Sequence, residues 1–379
     1  LNSFLIFRGS SRDIDLETKI ETYEDLTKDK SSDKYEYIFP SYEFSKRLKS
    51  NYNGDYEIIS KGNYKNYNTN VFEKVLINDL KFSSNPRITQ SGFVNKFNIL
   101  LKNVTSEAEN SSNYKNKFSS ENFGSIFYDL SYPLKKEGKF FDSFFTAKGS
   151  LMYSPNSNKD MKNLDRKIDI NNIFTQNRLS LDDAVEGGKS VTMGGEYILK
   201  GKEGENNFIK AGLASVLRDK EEINLPTKST LNNKGSDFIG SLIFEPNKNL
   251  TFDYNFSIDS DLESSNYNLF KTNISVNKFV TSFEFLQEDD EVGSESYLSN
   301  ETAYNFSNAN SLKYRTRRNK KTDFTEFYNL IYEYKNDCLT ASIQYNKDYY
   351  SDNELKPNEE IFFSISIVPL ATLNTPSVR

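Results

Sequence analysis

Residues 324–370 read FTEFYNLIYEYKNDCLTASIQYNKDYYSDNELKPNEEIFFSISIVPL, and their alternation decides the fold. Tyr328, Leu330, Tyr332 and Tyr334 alternate with Phe327, Asn329, Ile331 and Glu333. Beyond the turn at Lys335, Asn336 and Asp337, the apolar residues Leu339, Ala341, Ile343 and Tyr345 alternate with polar partners. A longer polar loop over 350–359 precedes Phe363, Ile365 and Ile367. A period of two sets one face of each strand apart from the other, one apolar and one polar. A tight turn at one end and a long loop at the other is the asymmetry of barrels that cross the outer membrane. The expected fold is all-β: an antiparallel up-and-down transmembrane β-barrel.

Composition is compatible with this and excludes much else. Only 36% of the 379 residues are hydrophobic and the mean hydropathy is −0.70, values that would also suit a disordered chain. The 24 Tyr and 30 Phe argue against disorder, which is poor in aromatics. A membrane barrel reads as hydrophilic on average because every second strand residue faces a polar lumen. No apolar run approaches the roughly 18 residues that a spanning helix needs. Net charge is −6, with 48 basic and 54 acidic residues interspersed, so no concentrated basic footprint for nucleic acid exists. With no His and one Cys, the usual zinc sites and the Ser-His-Asp and Cys-His nucleophile systems cannot be built. No cofactor and no enzymatic activity are expected. Abundant Lys, Asn, Ile, Phe and Tyr also follow from a biased genome, so order along the chain weighs more than counts. The chain opens on Leu1 and enters a strand-like run at once; the expectation is that a segment precedes it, so a missing leader says nothing of secretion.

In chain order, strands are expected over 4–8, 13–23, 34–48, 52–59 and 71–82. Pro40 interrupts one of them, which a central strand tolerates only at a bulge or an end. Strands over 93–104 and 123–134 flank a polar loop, and 135–139 is expected to turn into 140–153. The stretch 154–187 is Asn-rich and charged, yet it holds Leu164, Ile168, Ile170, Ile173, Phe174 and Leu179. It is expected to be a folded loop rather than a disordered one. From residue 188 on, short turns and long loops alternate through seven connections, which Greek-key crossovers would break. About 18–20 strands are expected, many near the length that crosses a bilayer. The barrel region is expected to span 1–370, with 371–379 a periplasmic tail.

The stretch 171–197, NNIFTQNRLSLDDAVEGGKSVTMGGEY, resembles the signature loop and following strand of the lipopolysaccharide-assembly outer-membrane proteins of the LptD (OstA) family. Asn177, Arg178, Ser180, Asp183, Glu186, Gly187, Gly188, Gly194 and Tyr197 match the family pattern. Leu181, Ala184 and Ser190 stand where Gly, a basic residue and Arg are usual. Weaker matches at 37–44 (YIFPSYEF), 130–134 (LSYPL) and 334–345 (YKNDCLTASIQY) follow in family order. The resemblance implies a barrel that receives lipopolysaccharide from a periplasmic Lpt bridge and releases it into the outer leaflet. It implies a periplasmic jellyroll and first strands ahead of this chain, and an LptE-type lipoprotein plugging the lumen. A barrel missing strands leaves open edges that lipid does not tolerate, so this stretch alone is expected to be incompetent.

The resemblance also implies roles for single residues. Family members often carry adjacent cysteines at the turn held here by Asp337 and Cys338, bonded to the N-terminal region. Cys338 is therefore either disulfide-bonded to the preceding segment in an oxidising periplasm or an unpaired structural cysteine. In the family the last strand meets the first at a lateral gate. Phe363, Ile365, Ile367 and Pro369 are the candidate gate strand, and Pro369, which cannot donate a ladder bond, either weakens the seam or simply ends the strand. Asp182, Asp183 and Glu186 form either a cation site or a set of loop-structuring acids. Gly187, Gly188, Gly194 and Gly195 serve either close approach to the wall or turn chemistry. Two rival functions stand beside lipid export: a porin or receptor for small solutes, and an outer-membrane enzyme, for which the usual His-based designs are lacking.

Overall fold

The computed structural model describes residues 2–25, 34–50, 53–67, 71–202, 207–349, 358–367 and 371–374. Five strands open the chain: β1 (Asn2–Ser10), β2 (Ile14–Glu24), β3 (Tyr35–Ser50), β4 (Gly54–Tyr67) and β5 (Val71–Ser84). The two-residue β6 (Arg87–Ile88) leads to β7 (Val94–Glu109), β8 (Ser119–Glu137) and β9 (Phe141–Ser154). A long connection precedes β10 (Gly188–Gly201) and β11 (Asn207–Arg218). Then come β12 (Phe238–Asn247), β13 (Leu250–Ile258), β14 (Ser265–Val276), β15 (Phe279–Glu288) and β16 (Ser296–Asn305). The last five are β17 (Asn310–Asn319), β18 (Phe324–Lys335), β19 (Leu339–Asp348), β20 (Asn358–Ile367) and β21 (Ala371–Asn374).

These strands form one sheet in which chain neighbours pair antiparallel, as in β1–β2, β7–β8, β12–β13 and β18–β19. The up-and-down meander expected from the alternation is present. Two three-residue 3-10 turns, Thr227–Ser229 and Asp290–Val292, are described, and among the described residues no helix is long and apolar enough to cross a membrane. Pro40 sits at an irregularity: the β3–β4 register shifts between Ile38 and Ser41. That is the bulge position at which a residue without an N–H is tolerated.

Several boundaries differ from the sequence reading; β4, expected over 52–59, runs on to Tyr67, and β7, expected over 93–104, to Glu109. Lys135, Lys136 and Glu137, expected in a turn, continue β8. Lys135 pairs with Glu137 at 2.7 Å and with Asp142 at 3.8 Å, so the ladder runs on into charged tips where backbone pairing needs no apolar face. β8 also begins earlier than expected, at Ser119. Ala371–Asn374, expected in the tail, pair with β20 as a short strand. The turn at Glu203 and Gly204, residues 350–357 of the expected loop, and Pro369 lie outside the described residues.

Packing divides the chain into two units, one comprising Leu1–Pro133, Ala147–Met193 and Val216–Gly235, the other Leu134–Thr146, Gly194–Ser215 and Ser236–Arg379. In the second unit Tyr332, Ile343 and Phe363 are cross-strand partners on one face, and all three are exposed, as are Leu330, Ile361, Ile365 and Ile367. The opposite face holds ion pairs between neighbouring strands: Lys271–Glu284 at 2.7 Å, Arg315–Glu301 at 2.8 Å and Lys313–Glu333 at 3.8 Å. Tyr297 donates to Glu284 at 2.7 Å and lies under the Arg317 guanidinium, 3.9 Å from the ring centroid. A sheet with its apolar side chains exposed and its charges on the inner face is inside out for water and correct for hydrocarbon.

The first unit repeats the pattern with an added inner layer. Leu76, Leu80, Leu101 and Ile126 are exposed on the outer face, with Leu80 directly opposite Leu101. On the inner face Val75, Ile77 and Val104 form a buried cluster, with Tyr114 and Phe123 against it. The connection 155–187 covers this inner face. It contains no regular strand, yet Ile173, Leu179 and, from the connection after β11, Leu225 and Leu231 are fully buried. The expectation of a folded loop holds, because apolar residues spaced through polar sequence have a wall to pack on.

Candidate functional site

The polar groups of 176–188 are placed one by one. Asn177 clamps a turn: its Oδ1 accepts from the Leu181 N–H and its Nδ2 donates to the Leu181 carbonyl, both at 2.9 Å. Ser180 occupies the left-handed region at φ 51° within that turn. The turn sends Arg178 inward, where it is 2% exposed. Its Nε donates to Glu186 at 2.8 Å and a second guanidinium nitrogen donates to the other carboxylate oxygen, the bidentate geometry suited to a carboxylate. The remaining capacity goes to Thr192 at 3.2 Å and Ser190 at 3.0 Å on β10. Ser190, where the family usually has Arg, is thus an acceptor for Arg178.

Glu186 has a second cation. Arg218, at the end of β11, donates to Glu186 and to the Gly187 carbonyl, and its side chain is fully buried. Burial pushes the Glu186 carboxyl up, but the Arg178 and Arg218 charges and their hydrogen bonds outweigh it and hold it below the usual carboxylate range. Gly187 donates to Asn158 Oδ1 at 2.7 Å, and Asn158 donates to Glu222 at 2.9 Å. A side chain at Gly187 would run into the Asn156 carbonyl. Gly188 has φ +94°, and a Cβ there would lie 2.9 Å from Arg218 Nη2, so both turn chemistry and close approach demand glycine.

The wall grips the same loop from β5, β7 and β8. Lys102 Nζ lies 2.8 and 3.0 Å from the two Asp79 oxygens and donates to the Asp182 carbonyl at 2.6 Å. Gln176 donates to Ser125 Oγ at 2.9 Å. Lys159 donates to the Asp183 carbonyl at 3.1 Å. Asp183 accepts from Tyr114, whose phenol is pushed up first by burial and then by that carboxylate. Asp182 lies 4.0 Å from Lys61. The three acids are therefore dispersed among separate partners instead of converging on one point. A polar cavity of about 250 Å3 remains between loop and wall, lined by Lys61, Asp79, Lys81, Lys102, Gln176 and Asp182 among others.

Of the residues singled out in sequence, Asn177, Arg178, Ser180, Asp183, Glu186, Gly187 and Gly188 belong to this assembly. Gly194 and Tyr197 do not: they fall in the second unit, where Gly194 presses on the Leu213 backbone and Tyr197 donates to Ser143 at 3.3 Å. Cys338 is exposed with a free thiol, in a turn shaped by Asn336, whose Oδ1 accepts from the Cys338 and Leu339 N–H groups. Phe363, Ile365 and Ile367 alternate outward on β20. Sequence reasoning missed Arg218, Lys102 and Asn158. The signal for Arg218 was an arginine in phase with the inward residues of an apolar strand; nothing local pointed to Asn158.

Replacing Lys102 with Met leaves Asp79 without its cation and frees the Asp182 carbonyl. Removing one member of a largely buried pair costs about 3 kcal/mol, so trypsin should cut within 155–187 far faster in Lys102→Met. Asp79→Asn in the same protein should restore most of the protection. Cleavage unchanged by the single substitution would show that the loop does not depend on this grip.

A transmembrane β-sheet with an ion-locked loop on its inner face is the class that fold and site define. The profile of LptD, described as LPS transport system D, matches residues 1–286, and the chain belongs to that family. It is an outer-membrane β-barrel protein of Gram-negative bacteria, and its family is one of lipopolysaccharide transport. No curated protein matches the chain in sequence. Among solved structures, the siderophore receptor PirA from Acinetobacter baumannii is similar at 7% identity and TM-score 0.46, over 94% of this chain and 69% of that one. A ferric enterobactin receptor from Pseudomonas aeruginosa, PfeA, is similar at 8% identity and TM-score 0.47, over 98% and 72%. The ferric-catecholate import receptor Fiu from E. coli K12 gives 8%, 0.45, 98% and 74%. Likenesses of this size carry no argument here.

Proposed function

We propose that this chain is the membrane-embedded part of a lipopolysaccharide translocon that inserts the lipid into the outer leaflet. It works by guided passage and not by bond chemistry. The observation that carries the reading is the family match over residues 1–286. The two-faced wall supports it, since an amphiphile needs a polar inner surface for its sugars and an apolar outer one for its chains. The partners are an LptE-type lipoprotein plug in the lumen and a periplasmic Lpt bridge. Tight turns such as that at Asn336 face the periplasm, and β20 forms one lip of a lateral exit.

Depleting the full-length protein should lower surface lipopolysaccharide, accumulate it inside the cell and raise sensitivity to large apolar antibiotics. Intact export on depletion, together with a water-filled pore in planar bilayers, would support the porin or receptor reading instead.

At the periplasmic turn, Cys338 forms a disulfide with the preceding segment. Non-reducing electrophoresis of the full-length protein should show a mobility difference between wild type and Cys338→Ser that reductant abolishes. Equal mobility would discard the bond.

A further inference from the structure

The outer surface of the first unit has a groove of about 630 Å3 beside the middle of β8 and the long-loop ends of β9, β10 and β11. Ile126, Leu151, Val191 and Leu217 wall it. Ser190 and Thr192 reach inward to Arg178, so strand parity turns Lys189 and Val191 outward. Tyr128, Tyr153, Lys189 and Asp219 stand around the groove with them. Ser190 and Arg218 border the same groove, which therefore lies directly behind the ion cluster that locks the signature loop.

This face fronts the bilayer, so acyl chains and not water fill an apolar groove on it. Tyr153, at the end of β9, marks the level where hydrocarbon meets headgroups, and a lysine there extends its ammonium to the interface. Lys189 Nζ lies 5.9 Å from the Tyr153 ring centroid and has no ion-pair partner among the described residues. A phosphate is the anion that suits such a cation, and Asp219, just past the end of β11, can accept from a sugar hydroxyl.

We infer that the groove binds a phosphorylated, acylated saccharide lipid, namely lipopolysaccharide, with one acyl chain in the groove and a headgroup phosphate on Lys189. The assignment rests on the proposed function, which sets the long-loop ends in the outer leaflet.

A photo-activatable benzophenone side chain at Leu151 of the full-length protein, in native outer membranes, should capture lipopolysaccharide. The same group at Leu101, exposed on the same outer face beside β8 but outside the groove, should capture several-fold less. Lys189→Glu should lower capture at position 151 by about tenfold, the effect of losing one charge-assisted contact, and Lys189→Arg should retain it. Equal capture at both positions means bulk lipid contact and overturns the site. Radiolabelled phospholipid captured in place of lipopolysaccharide overturns the assigned occupant. Undiminished capture in Lys189→Glu overturns the role of Lys189. Export after depletion is read separately: normal surface delivery with no capture sinks the groove alone, and capture without any export defect sinks the translocon reading.

Discussion

Glu186→Gln is expected to release residues 155–187 from the inner face of the wall. The carboxylate is shared by Arg178 and Arg218, and Arg218 Nε already lacks a hydrogen-bond partner among the described residues. Glutamine keeps the volume but leaves two buried guanidinium charges with no counter-charge. Breaking a buried ion cluster in this way costs about 3–5 kcal/mol, a shift of a hundredfold or more in any local opening equilibrium. The measurement is trypsin cleavage between Lys159 and Lys167 in the full-length protein, with the heat-resistant barrel band on a gel as a check that the wall survives. Wild-type cleavage rates in Glu186→Gln would show that the cluster does not hold the loop.

The same cluster sets a pH dependence with a definite sign. Glu186 has its carboxyl lowered in the folded state, so its contribution is fully present above the ordinary carboxylate range. It is lost only as pH falls through the lowered folded value. Loop protection should therefore stay level from neutral pH down to about pH 5 and decline only in stronger acid. Protection that fell between pH 7 and pH 6 would point to another group.

The second large effect concerns neighbouring residues in the stretch quoted first. Ile343→Arg puts a charge on the outer face, between Tyr332 and Phe363, and should cost about 2–4 kcal/mol near the bilayer midplane. Gln344→Arg puts the same charge on the inner face, diagonal to Glu333, and should stay within about 0.5 kcal/mol. Denaturant unfolding of the full-length barrel in lipid would measure both. A soluble sheet would reverse the order, because its apolar face is the packed one, so equal or reversed costs would remove the chain from the membrane.

Residues 324–370 were legible because a strand states its two faces in its own sequence, and because Asn336 needs only its neighbours to form the turn. The loop was legible in part. Its buried apolar residues predicted a fold, and Asn177, Arg178 and Glu186 lie close enough in sequence to be read as one motif. Asp182, Asp183 and Glu186 read equally well as a cation site, since adjacent acids do not name their partners.

Sequence alone therefore determined the all-β meander, its two unlike faces and the family, all of which depend on period-two patterning and local motifs. Tertiary structure alone decided that Glu186 is held by Arg218, 32 residues further on. It alone decided that Lys102 on β7 grips the loop at Asp182, 80 residues away, and that Gly194 and Tyr197 serve elsewhere than the loop they follow. Contacts between segments so far apart depend on which strand faces which loop. That is a property of the assembled sheet and not of any stretch within it.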